Sequence, residues 1–155
     1  MLSDESRKEI QRIRDEFPDA QSALLPALWL AQRDYGGWLP EAALDEVAAV
    51  MDLPAAHVAA TATFYTMLNK KPVGRHLVQV CTNIACSLLG AEHLVDYIGK
   101  KLGIGVGETT PDGKFTLVEV ECLGSCGTAP VMQIGHRYYE DLTEEKIDRI
   151  LAELG

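Results

Sequence analysis

Apolar residues in the N-terminal part of the chain recur every three or four positions, which is the spacing of amphipathic helices. Ile10, Ile13 and Phe17 follow this spacing among charged residues and predict a helix over residues 4–17. Proline and glycine interrupt the pattern further along and divide it into segments of helical length. The pattern therefore predicts an antiparallel bundle of four helices, over residues 4–17, 22–35, 41–51 and 55–68.

The residues at the boundaries of these helices support the division. Ser22 can cap the second helix, and Pro26 then lies in its first turn, where a missing N–H group is tolerated. Gly36-Gly37 ends that helix. Pro40 followed by Glu41 starts the third helix, because proline suits a helix start and an acidic residue suits the positive end of the helix dipole.

The pattern changes after residues 69–74, a polar segment with proline and glycine, and apolar positions then alternate as they do in strands. The order becomes strand, helix, strand, hairpin about Gly135, and a helix that starts at Thr143, which is the order of a thioredoxin-like domain. We predict an α+β chain with a helical bundle at 1–70 and a thioredoxin-like α/β domain at 75–155. The predicted elements of the second domain are strands at 77–80, 115–120, 131–134 and 137–139 and a helix at 88–102.

Composition and charge limit the classes of function. The 155 residues, of which 47% are hydrophobic, suffice for one good core or two small ones. The net charge of −9 excludes a nucleic-acid partner, since phosphates would repel this surface. The N-terminus lacks the apolar segment of a secretory signal, and the longest apolar run, 23–31, contains Pro26 and is too short to cross a bilayer. We therefore expect a cytoplasmic chain without direct membrane insertion.

The candidate chemistry lies in the four cysteines of the chain, Cys81, Cys86, Cys122 and Cys126. Without a secretory signal they favour metal ligation over disulfides, because the cytosol keeps thiols reduced. Their spacing is C-x4-C and then C-x3-C, whereas a structural zinc site usually has a C-x2-C pair and a thioredoxin-type dithiol requires C-x-x-C. A C-x4-C pair also occurs in plant-type [2Fe–2S] ferredoxins. Spacing alone thus favours an iron–sulfur centre and leaves a stabilising zinc ion as an alternative.

The segments around the cysteines resemble a known family. They are CTNIACSLLGA at 81–91, TPDGKF at 110–115 and ECLGSCGTAP at 121–130, and the N-terminal half adds GWLP at 37–40 and ATFY at 62–65. In sequence and order these segments resemble the thioredoxin-like [2Fe–2S] ferredoxin subunit of bacterial NADH:quinone oxidoreductase, which is the E subunit of complex I. The resemblance extends over nearly the whole chain.

The resemblance implies an electron-transfer subunit of an NADH dehydrogenase, with one [2Fe–2S] cluster on the four cysteines. It implies docking on the flavin- and NADH-binding subunit, beside the flavin and off the main electron route, and contact with the adjacent large iron–sulfur subunit. FMN and NAD would belong to the partner, which agrees with the lack here of a P-loop and of G-x-G-x-x-G after a strand. The implied location is the cytoplasmic side of the inner membrane, through the complex. The isolated chain would be an electron carrier without a substrate site.

Each cysteine pair follows a predicted strand, so both loops are expected at one end of the same sheet. A short loop brings together sulfurs that are close in sequence. We therefore expect one iron to be bound by the first pair and the other iron by the second pair, that is, by Cys81 with Cys86 and by Cys122 with Cys126.

Residues near the cysteines are expected to adjust the charge of the cluster. Gly124 and Gly127 should allow backbone N–H groups to approach the sulfurs, and a helix beginning near Ser87 should direct its positive end toward them. These dipoles offset the negative charge of four thiolates and two sulfides. Glu119 and Glu121 should act in the opposite direction and favour the oxidised form.

The N-terminal bundle is interpreted as a docking element, because all four cysteines lie beyond it and it has more apolar positions than four short helices need. Its aromatic residues are interpreted as core or interface rather than as a flavin-stacking site; they include Trp29, Trp38, Phe64 and Tyr65. The four histidines have no partner at ligand spacing; they are His57, His76, His93 and His136.

Three alternatives to this function stay open on the sequence. The first has the same chemistry and is the equivalent small subunit of an NAD-linked hydrogenase or formate dehydrogenase. The others are a zinc-stabilised adaptor, which would be colourless, and a thiol–disulfide oxidoreductase, whose cysteines would react with alkylating agents.

Overall fold

The computed structural model describes residues 1–155, which form two compact units: an N-terminal unit, Met1–Pro72, and a C-terminal unit, Val73–Gly155. None of the helices has the length and hydrophobicity needed to span a membrane.

The N-terminal unit contains four α-helices, as predicted. A buried apolar core is formed mainly by side chains at three- and four-residue spacing, such as Leu28 with Ala31 and Val58 with Ala62. These helices bury one face each, so the periodicity of the sequence was sufficient to find them. Their bounds are α1 Asp4–Glu16, α2 Leu24–Asp34, α3 Glu41–Met51 and α4 Ala55–Phe64.

The predicted cap of the second helix is wrong. Ser22 lies inside a 3-10 turn, Ala20–Ala23, and the carboxylate of Asp19 caps that turn by accepting from the Ser22 N–H at 3.0 Å. The Ser22 hydroxyl also donates to Asp19, at 2.9 Å. A carboxylate accepts hydrogen bonds more strongly than a hydroxyl, so the cap moves to the earlier residue. Pro26 does lie in the first turn of α2.

The predicted end of the fourth helix is also wrong. α4 stops at Phe64, and Tyr65 has an extended backbone. Leu68 is buried, and the side chain of Gln32 accepts from the N–H of Asn69 at 2.6 Å and donates to the carbonyl of Met67 at 3.2 Å. These bonds satisfy backbone groups of the segment that follows the helix. A glutamine of another helix thus supports the non-helical path after Phe64.

The C-terminal unit contains a four-stranded sheet with the order β2-β1-β3-β4. β1 and β2 are parallel, β3 is antiparallel to β1, and β4 is antiparallel to β3. This confirms the predicted order and the hairpin about Gly135. The elements are β1 His76–Cys81, α5 Ile84–Leu88, α6 Ala91–Leu102, β2 Phe115–Val120, β3 Met132–Ile134, β4 Arg137–Tyr139 and α7 Glu144–Leu154.

The core of the C-terminal unit lies between the sheet and the helices α6 and α7. Val80 and Leu117 of the central strands are fully buried, as are Ile98 of α6 and Ile147 of α7. The Thr143 side chain caps α7 by accepting from the Lys146 N–H at 3.3 Å, which confirms the predicted start of that helix.

The helix predicted over residues 88–102 begins later, at Ala91, and a separate short helix, α5, precedes it. Gly90 separates α5 from α6 and has φ +89°, a conformation that glycine adopts without strain. The helix start predicted near Ser87 therefore does not exist. α5 begins at Ile84, and the side chain of Asn83 accepts from the Ile84 N–H at 2.8 Å.

Candidate metal centre

The two cysteine loops meet at the carboxyl ends of the parallel strands β1 and β2. Cys81 is the last residue of β1 and pairs in register with Val120, the last residue of β2. Cys86 lies in α5, Cys122 follows β2, and Cys126 begins a 3-10 turn, Cys126–Thr128. Parallel strands place their carboxyl ends at one edge of the sheet, so the first cysteine loop (81–86) and the second cysteine loop (122–126) adjoin.

The thiols of the two loops influence one another. Beside the effect of burial, Cys86 and Cys122 lower the pKa of Cys81, and Cys81 and Cys126 raise the pKa of Cys86. No disulfide is formed. The structure thus brings together all four cysteines that the sequence singled out, with Cys81 at the junction of the two loops.

Burial differs between the two cysteine pairs. Cys81 and Cys86 are 2% and 1% exposed, and they pack in a small apolar cluster with Ala91, Ala129 and Val131. Both cysteines of the second loop are exposed to solvent. One pair therefore lies in an environment that excludes water, and the other lies at the surface, where a partner protein has access.

Backbone N–H groups point at the sulfurs, as cluster-binding sites require. The Gly124 N–H donates to the Cys122 sulfur at 3.3 Å, which confirms the expectation for this glycine, whose φ is +71°. The amides of Asn83 and Leu123 act on Cys81 by lowering its pKa. The structure shows no such contact for Gly127, which lies in the 3-10 turn.

These surroundings shift the pKa values of the two buried cysteines in opposite directions. Burial raises the pKa of Cys81, but hydrogen bonds from the Asn83 and Leu123 amides and from the neighbouring thiols outweigh it and hold this pKa below its ordinary value. Burial and the adjacent Cys81 raise the pKa of Cys86, and the Val131 N–H offsets them only in part. In the metal-free chain Cys81 is the more readily ionised of the two.

Two side chains that sequence reasoning missed hold the loops in place. Asn83 donates from Nδ2 to the carbonyl of Glu121 at 2.7 Å and so joins the two cysteine loops. Tyr138 donates its hydroxyl to the carbonyl of Leu123 at 2.9 Å. An asparagine before a helix could have been recognised as a cap. The role of Tyr138 had no local signal, because it depends on how the hairpin packs.

The other residues considered from the sequence lie outside this group. Glu119 and Glu121 are exposed. The His76 ring packs against Phe115 with 5.4 Å between ring centroids, and His93 contacts Glu144 at 2.7 Å. Nowhere do three or more histidine, cysteine or acidic side chains surround one point as a site for a single ion.

The residues present fit a [2Fe–2S] cluster. All four candidate ligands are soft thiols, which suit iron–sulfur centres, and they approach as two pairs from two loops. The sulfurs receive amide N–H donors, which offset the negative charge of such a cluster. The peptide bond between Ala129 and Pro130, which follows the second loop, is cis.

The fold and this cysteine arrangement define a class of protein. Residues 10–155 match the family described as thioredoxin-like [2Fe-2S] ferredoxin, and the chain belongs to that family. The predicted thioredoxin-like fold is thereby confirmed.

Within this family, the chain is similar to subunits of NADH-quinone oxidoreductase and NADH dehydrogenase. The chain is 51% identical over 133 residues to the E subunit of NADH-quinone oxidoreductase from Rickettsia felis, covering 86% of this chain and 80% of that one. It is 45% identical over 145 residues to an E subunit of NADH-quinone oxidoreductase from Rhizobium meliloti, covering 94% and 86%. It is 44% identical over 155 residues to the mitochondrial NADH dehydrogenase [ubiquinone] flavoprotein 2 of Dictyostelium discoideum, covering 99% and 63%. The resemblance to the E subunit is confirmed.

A solved structure is also similar. A chain of NAD+-reducing [NiFe]-hydrogenase in the air-oxidised state matches with a TM-score of 0.73 and 25% identity, over 84% of this chain. The match spans 22% of that hydrogenase chain, which is therefore much longer.

Proposed function

We propose that this chain is the electron-transfer subunit of an NADH:quinone oxidoreductase and holds one [2Fe–2S] cluster. The observation that carries the proposal is the meeting of two cysteine loops at one sheet edge, with the Gly124 N–H directed at the Cys122 sulfur. The ligands are the four cysteines, with one iron on the pair Cys81 and Cys86 and the other on the pair Cys122 and Cys126.

The bound cluster would supply one-electron transfer. The chain itself contributes an apolar wall on the side of Cys86, formed by Ala91, Ala129 and Val131, which keeps water from the buried pair. It leaves the second loop exposed, so that a redox partner can approach closely. The Gly124 amide stabilises negative charge on the Cys122 sulfur. The exposed carboxylates of Glu119 and Glu121 act across solvent and make reduction of the cluster less favourable.

The proposed partner is the flavin- and NADH-binding subunit of the same complex, with the adjacent large iron–sulfur subunit as a further contact. FMN and NAD would be bound by the partner. The names of the bacterial relatives support this assembly. It would place the chain on the cytoplasmic side of the inner membrane, attached through its partners.

A second candidate keeps the same chemistry in another assembly. The similarity to a chain of an NAD+-reducing hydrogenase favours the equivalent subunit of an NAD-linked hydrogenase or formate dehydrogenase. Co-purification from the native host distinguishes the two, because the large partners of these complexes differ in mass and in metal content.

The spectrum of the purified chain tests the proposed cofactor. Anaerobically purified protein is expected to be coloured, to contain about two irons and two acid-labile sulfides per chain, and to give a paramagnetic signal after one-electron reduction. A colourless chain with zinc bound would support the adaptor instead. Metal-free protein with all four thiols open to alkylation, even after anaerobic iron and sulfide reconstitution, would contradict the proposal.

We propose that the N-terminal unit docks on the flavin-bearing partner. At the end of α4, Phe64 is 78% exposed and Met67 is 52% exposed, and the Phe64 ring packs edge-on against Tyr65 at 5.1 Å between centroids. Large apolar side chains at this exposure favour an interface. The C-terminal unit also exposes apolar side chains, with Leu88 81% exposed, so the two surfaces must be compared directly.

Full-length variants provide that comparison. Phe64→Ala combined with Met67→Ala is expected to weaken binding to the flavin-bearing subunit by roughly tenfold or more, because an exposed aromatic anchor that the partner would bury is lost. Titration calorimetry measures the affinity, and the visible spectrum should be unchanged. Val106→Ala, at another half-exposed apolar residue, serves as the control. If Leu88→Ala weakens binding and the double variant does not, the dock lies on the C-terminal unit and this proposal is wrong.

A further inference from the structure

The second cysteine loop has little backbone support of its own. Cys126 is exposed, and a Cβ atom added at Gly127 would have no neighbour within 4 Å. Within the turn, the backbone makes one hydrogen bond, from the Thr128 N–H to the Ser125 carbonyl at 3.2 Å. Contacts from elsewhere in the unit therefore contribute to holding the turn that carries Cys126.

The carboxylate of Glu140 contacts the turn that carries Cys126. A single oxygen of Glu140, Oε1, accepts from the Ser125 hydroxyl at 2.5 Å and from the Thr128 hydroxyl at 2.7 Å. The two hydroxyl oxygens lie 2.8 Å from each other. Glu140 thus holds both ends of the turn that carries Cys126, although it is far from the turn in sequence.

Glu140 is itself held in place. It directly follows β4, and the next residue, Asp141, donates its N–H to the Thr128 carbonyl at 2.8 Å. The Lys146 ammonium of α7 donates to the Glu140 carbonyl at 3.2 Å. The hydroxyls of Ser125 and Thr128 also lower the pKa of Glu140, so that near neutral pH it is an ionised acceptor. Sheet, helix and cysteine turn are linked through this residue.

We infer that Glu140 is a positioning residue for the candidate cluster: it anchors the Ser125–Thr128 turn to the end of β4 and so fixes the Cys126 sulfur. The part of this inference that concerns the cluster rests on the proposed function, whereas the anchoring of the turn does not. Hydrogen-bonded partners behind metal ligands commonly change metal affinity by roughly ten- to a hundredfold when they are removed.

The anchoring is tested in the metal-free, reduced full-length chain by amide hydrogen exchange. Glu140→Ala is expected to accelerate exchange at the amides of Thr128 and Asp141 by about tenfold, because their hydrogen bonds depend on the anchored turn. Glu140→Gln keeps one acceptor oxygen and should show a smaller effect. Glu153→Gln removes an exposed carboxylate of the same unit without a hydrogen-bond partner and serves as the charge control. Unchanged exchange in Glu140→Ala would overturn the inference.

The effect on the cluster is measured separately, as the rate of absorbance loss in the presence of an iron chelator. Glu140→Ala is expected to lose its cluster about tenfold faster than the unaltered chain, with Glu140→Gln in between and Glu153→Gln unchanged. In a chain that already carries Ser125→Ala and Thr128→Val, adding Glu140→Ala should have no further effect. An equal loss rate in Glu153→Gln and Glu140→Ala would mean that charge alone acts and would refute positioning. A chain that never binds a cluster contradicts the proposed function and leaves the exchange result valid.

Discussion

Replacing Cys81 or Cys86 with alanine is expected to reduce the iron and sulfide content from about two each to near zero. Each substitution leaves one iron with a single thiolate from its proposed pair. Both residues are almost fully buried among Ala91, Ala129 and Val131, so neither water nor another side chain can enter as a substitute ligand. Iron and acid-labile sulfide analysis, together with visible absorbance, measures the loss.

The second pair gives the matched comparison. Cys122→Ala and Cys126→Ala should also lose full occupancy, but a short-lived cluster is expected after reconstitution because solvent can reach this side. Thr82→Ala, next to Cys81 in the chain, is the control and should keep its colour. Circular dichroism of each metal-free variant shows whether the fold persists. Full iron and sulfide in any of the four cysteine variants would contradict the ligand assignment.

The isolated chain is expected to be reduced completely by dithionite and not at all by NADH. NADH delivers a hydride, and a flavin or similar cofactor is needed to divide it into single electrons. The sequence has no P-loop and no G-x-G-x-x-G after a strand. With four thiolate ligands and acidic neighbours, the reduction potential should lie roughly at −400 mV or somewhat above, by analogy with plant-type clusters.

Anaerobic titration followed by visible absorbance and electron paramagnetic resonance measures both reductions. Dithionite should bleach the chain and produce the signal of a reduced [2Fe–2S] cluster. The partner containing the flavin, added with NADH, should permit electron exchange to the extent that the cluster potential allows. Rapid, stoichiometric reduction of the flavin-free chain by NADH would require a nicotinamide site in this subunit and would refute its role as a carrier alone.

Elements with strong local signals were predicted from the sequence with little error. α1, α3 and β2 lie within one residue of their predicted bounds, because apolar spacing, prolines and caps act over a few neighbouring residues. The strand before each cysteine pair was likewise predicted from residue types and spacing. The assignment of the four thiols as ligands, in two pairs, stays a prediction.

The spacing of apolar residues did not predict where two of the helices begin or end. Gln32, a residue of another helix, bonds the backbone just beyond α4, and Gly90, with φ +89°, separates α5 from α6. Periodicity continues across both positions, so it placed one end of each predicted helix a few residues too far.

The sequence by itself determined the identity of the four cysteines and the class of centre they favour. Only the tertiary structure decided that Cys81 and Cys86 are buried, that Cys122 and Cys126 are exposed, and which side chains hold the loops. The contacts of Asn83 with Glu121 and of Glu140 with the second loop join residues far apart in the chain. Such contacts form only when strands and loops pack, whereas ligand chemistry is a property of each residue type.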